Sequence, residues 1–160
     1  MQRARGQILS AAASLVAEGG TGSLTMAALA RRSGVAKATV YNHFRDRTEV
    51  GLALAEQQIA ALNAECLRYQ PEERLAVAAQ LIADLPTLAG LRRHDAATLL
   101  ALVEAVVADE RALDFVASWC TAVDDPERAR RWLVSFAVAA DVSECDARED
   151  REKSRRIQTR

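Results

Sequence analysis

The residues of this chain best suited to chemistry lie close together in the stretch SLTMAALARRSGVAKATVYNHFRDRTEV, Ser23 to Val50. Lys37, Ala38, Thr39, Tyr41, Asn42 and His43 crowd into seven positions, with Thr25 before them and Arg47 after. The Lys37 ammonium can reach a guanine edge or a phosphate, the Asn42 carboxamide can pair bidentately with adenine, and Ala38 and the Thr39 methyl can meet a thymine methyl. Thr25, Tyr41, His43 and Arg47 suit phosphate oxygens, which fix register without reading sequence. A helix starting after Thr25 would add backbone N–H groups for the same anion. The same side chains could form an ordinary solvated face: Lys37 and Asn42 could touch only phosphate or water, and Tyr41 could pack its ring and offer only its hydroxyl.

What positions these residues is a set of short helices. Ile8, Leu9, Ala12, Leu15 and Val16 recur on one helical face, which predicts a first helix from about Arg5 to Glu18. Gly19 and Gly20 can close it, and Thr21 to Ser23 form a turn. Thr25 has the chemistry of an N-cap for MAALARRS. Gly34 then breaks the chain, and a third helix runs from near Ala36 to Asn42 or His43. Two short helices around a three-to-four-residue glycine turn have the shape of a helix-turn-helix, whose second helix enters the major groove. Val35, Val40 and Phe44 form the buried face of that helix, leaving Lys37, Ala38, Thr39, Tyr41, Asn42 and His43 on the other side.

Asp46 or Thr48 can cap a long fourth helix, Arg47 to about Tyr69, with Val50, Leu54, Ile59, Leu62 and Cys66 as its inward stripe. Pro71 marks the next start, Leu75, Ala78, Ile82 and Leu85 form a stripe, and Pro86 is expected to end it. A turn is expected around GLRRHD. Asp95 to Ala108, apolar on nearly every side, reads as a central buried helix. Two further helices carry Leu113, Val116, Cys120 and Val123, then Ala129, Trp132, Leu133, Phe136, Ala137 and Ala140, with DDPE between them supplying a cap and an N1 proline. The residues after Asp141 are almost all polar and read as a mobile charged tail. The expected division is a helix-turn-helix domain over 1–47, a helical regulatory and dimerisation domain over 48–141, and a disordered tail over 142–160.

Composition agrees with an all-α fold. The chain has 160 residues, half of them apolar, rich in Ala and Leu and poor in Gly, Pro and aromatics. The net charge is −1, yet residues 1–50 carry seven Arg and Lys against three Asp and Glu, so a +4 head sits on a −5 remainder. A basic head on an acidic body points to a polyanion partner for the head alone. No apolar run approaches the roughly 20 residues of a membrane span, residues 1–20 lack signal-peptide character, and the expected location is cytoplasmic.

Residues Thr25 to Val50 resemble the DNA-binding signature of the tetracycline-repressor (TetR) family: LTMAALARRSGV, then ATVYNHF, then RDRTEV opening the fourth helix. The resemblance covers about residues 5–55. It departs at Ala36, where a hydroxyl cap is usual, at Ala38, where glycine is common, and at Arg47, where lysine is usual and the charge is kept. The resemblance implies a homodimeric transcription factor, usually a repressor, that binds double-stranded DNA at a palindromic operator and whose C-terminal helices dimerise and hold an inducer. The body is short for this family, so its inducer site is expected to be small or absent.

Leu62, Leu99, Val103, Phe115 and Trp119 are the candidates for lining a site for an apolar small molecule. Trp119, Ala129, Trp132, Leu133, Phe136, Ala137 and Ala140 are the candidates for the dimer interface, where small residues let helices approach. Aromatics at helical spacing are more often core than cavity. His94 beside Asp95 reads as a solvated turn before a cap. Cys66 and Cys120 fall on apolar faces, and Cys145 is flanked by Glu144 and Asp146, which disfavour its thiolate. Three well-separated cysteines make neither a disulfide framework nor a metal site. No nucleophile–base pair, phosphate loop or carboxylate dyad stands out, so neither an enzyme nor a cofactor has residues to rest on. Two other readings stay open: a helical protein-interaction module with a vestigial head, and a regulator that needs no ligand.

Overall fold

The computed structural model describes residues 2–108, and all of its elements are helical. They are α1 (Gln2–Gly19), a 3-10 turn (Thr21–Ser23), α2 (Met26–Ser33), α3 (Lys37–His43), α4 (Arg47–Cys66), α5 (Pro71–Ala83), α6 (Pro86–His94) and α7 (Ala96–Ala108). The expected helices at Leu113–Val123 and Ala129–Ala140 and the tail lie outside the described residues.

α1 is the centre of the head. Its inward face, Ile8, Leu9, Ala11, Ala12 and Val16, is buried, and Leu24, Leu29, Val40 and Phe44 close over it. Burying side chains of this size stabilises the fold by about 1.5–3 kcal/mol each, so seven-residue α3 is held mainly by Val40 and Phe44. The core does not stop where the head was expected to end: Val50, Ala53 and Leu54 of α4, Leu91 of α6 and Leu99 of α7 belong to it.

The α1–α6 contact is close because of one residue. Gly90 lies where an added Cβ would stand 2.6 Å from Ala17 Cα and 2.7 Å from Ala17 O. No side chain fits there, and α6 rests directly on the α1 backbone. Beyond Gly90, the Asp95 carboxylate accepts from the Thr21 hydroxyl, which ties the α6–α7 junction to the turn after α1. Gly20 in that turn has φ +65, the left-handed region that glycine enters without strain. On the other flank, Gln58 of α4 and Thr87 of α6 pair through their side chains, with Gln58 Nε2 donating to Thr87 Oγ1 at 2.9 Å.

The structure departs from sequence expectation in four places. Pro86 begins a helix where it was expected to end one. A proline at N1 loses no hydrogen bond and has its φ already set, and the residue before it is driven out of the helical region; Leu85 accordingly sits at φ −69, ψ 113. Gly90 to His94 of GLRRHD are therefore the C-terminal half of α6, with Asp95 as its C-cap, and not a turn. α4 stops at Cys66, three residues short of Tyr69, and Ile59, assigned to its inward stripe, is 47% exposed. α7 is not buried all round among the described residues: Leu99 is buried while Leu100 and Leu102 are 50% and 45% exposed. An apolar composition marks a helix as available for burial on every side, but only the packed neighbours decide which sides are covered.

Candidate nucleic-acid interface

The candidate interface is built from α2, the turn after it, and α3. Thr25 opens α2 with extended backbone, and its Oγ1 accepts from Ala28 N at 3.1 Å. Ser33 closes α2, its hydroxyl donating to Leu29 O at 2.6 Å and accepting from Val35 N at 3.3 Å. Gly34 follows at φ 67, ψ 15, the left-handed position that turns the chain between the two helices. Ala36 is the N-cap of α3 and contributes no side-chain hydrogen bond, as its methyl group requires.

α3 ends at Phe44, whose backbone turns extended and whose ring is buried. Asp46 then caps α4, its Oδ1 accepting from Glu49 N at 2.9 Å, while Glu49 Oε2 accepts from Arg45 N at 2.7 Å. This is a capping box whose return bond reaches one residue further back than usual. It fixes the corner between α3 and α4.

With Val40 and Phe44 buried and Val35 half-buried, the opposite side of α3 faces out. Lys37, Ala38, Tyr41 and Asn42 are exposed; Thr39 and His43 are partly covered. Tyr41 is 49% exposed, with the Lys37 ammonium 6.0 Å from its ring centroid. The His43 ring tilts against Phe44, centroids 6.4 Å apart. Thr25 and Arg47 are exposed at the starts of α2 and α4. Among the described residues neither Lys37 nor Arg47 takes part in an ion pair, whereas Arg32 pairs with Glu18, Arg45 with Glu49 and Arg68 with Glu65. The residues that could read bases therefore share one helix face, and two of the cations there, Lys37 and Arg47, are in no ion pair among the described residues.

Sequence reasoning passed over Arg5 of α1. Its guanidinium lies 5.5 Å from the centroid of the Phe44 ring, a cation–π distance. The signal was present in spacing: Arg5 is one turn before the buried Ile8 and Leu9, so it belongs to the inward edge of α1.

The candidates for a small-molecule site separate. Leu62 lines an open cleft of about 350 Å³ together with Gln58, Ala61, Glu65, Leu81, Asp84, Leu85 and Pro86. Leu99 lies elsewhere, in the head core. The side chain of Val103, and Phe115 and Trp119 altogether, fall outside the described residues, as do the dimer candidates Ala129, Trp132, Leu133, Phe136, Ala137 and Ala140.

Among the described residues two groups have displaced acidities. The Asp95 carboxyl is held below its ordinary value by the hydrogen bond from Thr21 and then by that from Thr98, against a smaller opposing effect of burial. The Cys66 thiol is pushed up, first by burial and then by the charge of Glu65, which makes it a core side chain and a poor nucleophile. Among the described residues no group of His, Cys, Asp and Glu is arranged to hold a metal ion, and no helix is long and apolar enough to cross a membrane.

A capped helix, a left-handed glycine turn, and a short second helix with one face buried and the other polar define a helix-turn-helix protein. Residues 8–54, the N-terminal part of the chain, match the family model of bacterial regulatory proteins, tetR family. An uncharacterized HTH-type transcriptional regulator of Mycobacterium bovis is 35% identical over 85 residues, 53% of this chain and 44% of the relative. Another, of Mycobacterium tuberculosis, is 35% identical over 88 residues with the same coverage. The matched region thus spans under half the length of these relatives. No solved structure matches the chain.

Proposed function

We propose that the chain is a DNA-binding transcriptional regulator, acting as a homodimeric repressor that a small molecule releases from a palindromic operator. The observation that carries DNA binding is the outward row Lys37, Ala38, Tyr41 and Asn42 on a helix whose other side, Val40 and Phe44, is sunk in the core. Lys37 and Asn42 read bases; Thr25, Tyr41, His43 and Arg47 hold phosphates and set the depth of insertion. In a two-fold dimer the paired α3 helices stand about 34–36 Å apart, one turn of DNA, which makes the operator a palindrome. The functional division falls at the start of α4, with residues 1–47 reading DNA and 48–141 regulating and dimerising.

Release needs a ligand that prefers one arrangement of the body over another. The cleft beside Leu62 is bounded by α4 on one side and by α5 and the start of α6 on the other. α4 is also the helix that the Asp46–Glu49 cap joins to the end of α3. A small molecule with an apolar body wedged against Leu62 and Leu85 tilts α4 and so changes the spacing of the two heads.

The test is a gel shift with genomic fragments followed by salt titration. The unaltered chain selects particular fragments, and its affinity falls steeply with salt. Lys37→Ala combined with Asn42→Ala removes the fragment preference while leaving salt-sensitive, non-selective binding. Unchanged fragment choice in the double variant refutes the base-reading assignment, and no DNA binding at all by the unaltered chain refutes the function.

A further inference from the structure

The helix that reads DNA in the proposed function ends at Phe44, and Phe44 carries on its ring a cation from a different helix. The Arg5 guanidinium sits 5.5 Å from the ring centroid, and the residue is exposed. α1 has no acidic residue in its first turn, and among the described residues Arg5 has no ion-pair partner. The carboxylates nearest in sequence to Phe44, Asp46 and Glu49, are bonded to the backbone N–H groups of Glu49 and Arg45. Glu49 also lies 3.7 Å from Arg45 Nε, so the anionic groups of this corner are already engaged.

We propose that Arg5 is a DNA-phosphate contact, positioned by the Phe44 ring at the C-terminal end of α3; this rests on the DNA-binding reading above. Three features argue for it. A guanidinium lying on an aromatic face still directs its N–H donors outward in its own molecular plane, and these donors match two phosphate oxygens at once. The ring removes part of the rotamer freedom that a long exposed side chain otherwise loses on binding. Finally, Phe44 is buried to 2% exposure, so the platform moves with α3, and a phosphate held by Arg5 keeps a fixed relation to the bases read by Lys37 and Asn42. Arg5 thereby adds affinity without sequence preference, from a helix outside the helix-turn-helix itself.

The experiment compares the full unaltered chain with Arg5→Gln and Arg5→Lys, on a fragment the unaltered chain selects and on a random duplex, between 50 and 200 mM salt. These concentrations span the range over which a phosphate contact changes affinity most visibly, roughly one unit of log–log salt slope per contact. Arg5→Gln is expected to bind both duplexes about ten-fold more weakly, as the loss of a hydrogen bond to a charged group requires, and to flatten the slope by about one unit per protomer. Arg5→Lys retains the slope, because the charge stays. An unmoved slope in Arg5→Gln while the unaltered chain binds normally overturns this inference and leaves the function standing. So does a variant that melts earlier but binds with the original slope, since Arg5 then serves only to pack Phe44. Absence of binding by the unaltered chain overturns both.

Discussion

Replacing Gly90 by alanine adds a single methyl group, and the structure places that methyl inside the backbone of another helix. Its carbon would stand 2.6 Å from Ala17 Cα and 2.7 Å from Ala17 O, and would also press on Val16 O. These are main-chain atoms, unable to rotate aside, so α6 must lift off α1. Overpacking costs roughly 1–3 kcal/mol, with contacts to backbone at the upper end. Alanine recovers about 1 kcal/mol through its better helix propensity. The net expectation is a loss of about 2 kcal/mol, which for a chain of this size lowers the melting temperature by about 4–8 °C. Gly51 is the internal control: it too lies within a helix, α4, but a Cβ there meets nothing within 4 Å. Gly51→Ala is therefore expected to raise stability by about 0.5–1 kcal/mol. Thermal melts followed by circular dichroism on the two variants decide the matter. A Gly90→Ala protein that melts at or above the parent temperature refutes the close α1–α6 approach.

Two further outcomes follow from the turns. Gly34→Ala places a Cβ on a residue at φ 67, costing about 1–2 kcal/mol although the surrounding space is open; a melt indistinguishable from the parent contradicts the left-handed turn between α2 and α3. The second outcome concerns acid. Because Asp95 is held below its ordinary value of 3.8 chiefly by Thr21, the stability linked to its anion is present above that value and is lost as pH falls through the lower folded pKa. Thr21→Val removes the leading cause, so the parent's advantage over the variant in urea midpoint is expected at neutral pH and to shrink below pH 3.8. An advantage that does not change with pH excludes the Thr21–Asp95 bond as its source.

The head was legible because its signals are local. Thr25, Gly34 and Asp46 each act on backbone within four residues, and each is found in the role its chemistry predicts. Val40 and Phe44 are one turn apart, which is enough to say which side of α3 is buried. The body was less legible because what decides it is not local. Pro86 can end a helix or begin one, and the choice depends on whether the following residues find something to pack against. Leu91 and Gly90 do, on α1, more than seventy residues earlier in the chain. Ile59 fits a helical stripe on paper, but one face of α4 cannot be told from its neighbour without knowing where α5 and α6 lie. Arg5 was hidden for a similar reason, since its meaning comes from Phe44 and not from its own neighbours.

The missing hydroxyl at Ala36 bears on how α3 can be both firm and free. A seven-residue helix is too short to persist alone, and this one has no side-chain cap at its N-terminus. Its order must come from outside: from Val40 and Phe44 in the core, from the Gly34 turn before it, and from the Asp46–Glu49 cap after it. None of those residues belongs to the outward row of Lys37, Ala38, Tyr41 and Asn42. Substitutions in that row can therefore change what α3 touches with little effect on whether it forms. The same division applies to the contact proposed for Arg5: the element at the end of α3 that it rests on is the buried Phe44 ring, and a cation resting on it shares the position of the helix.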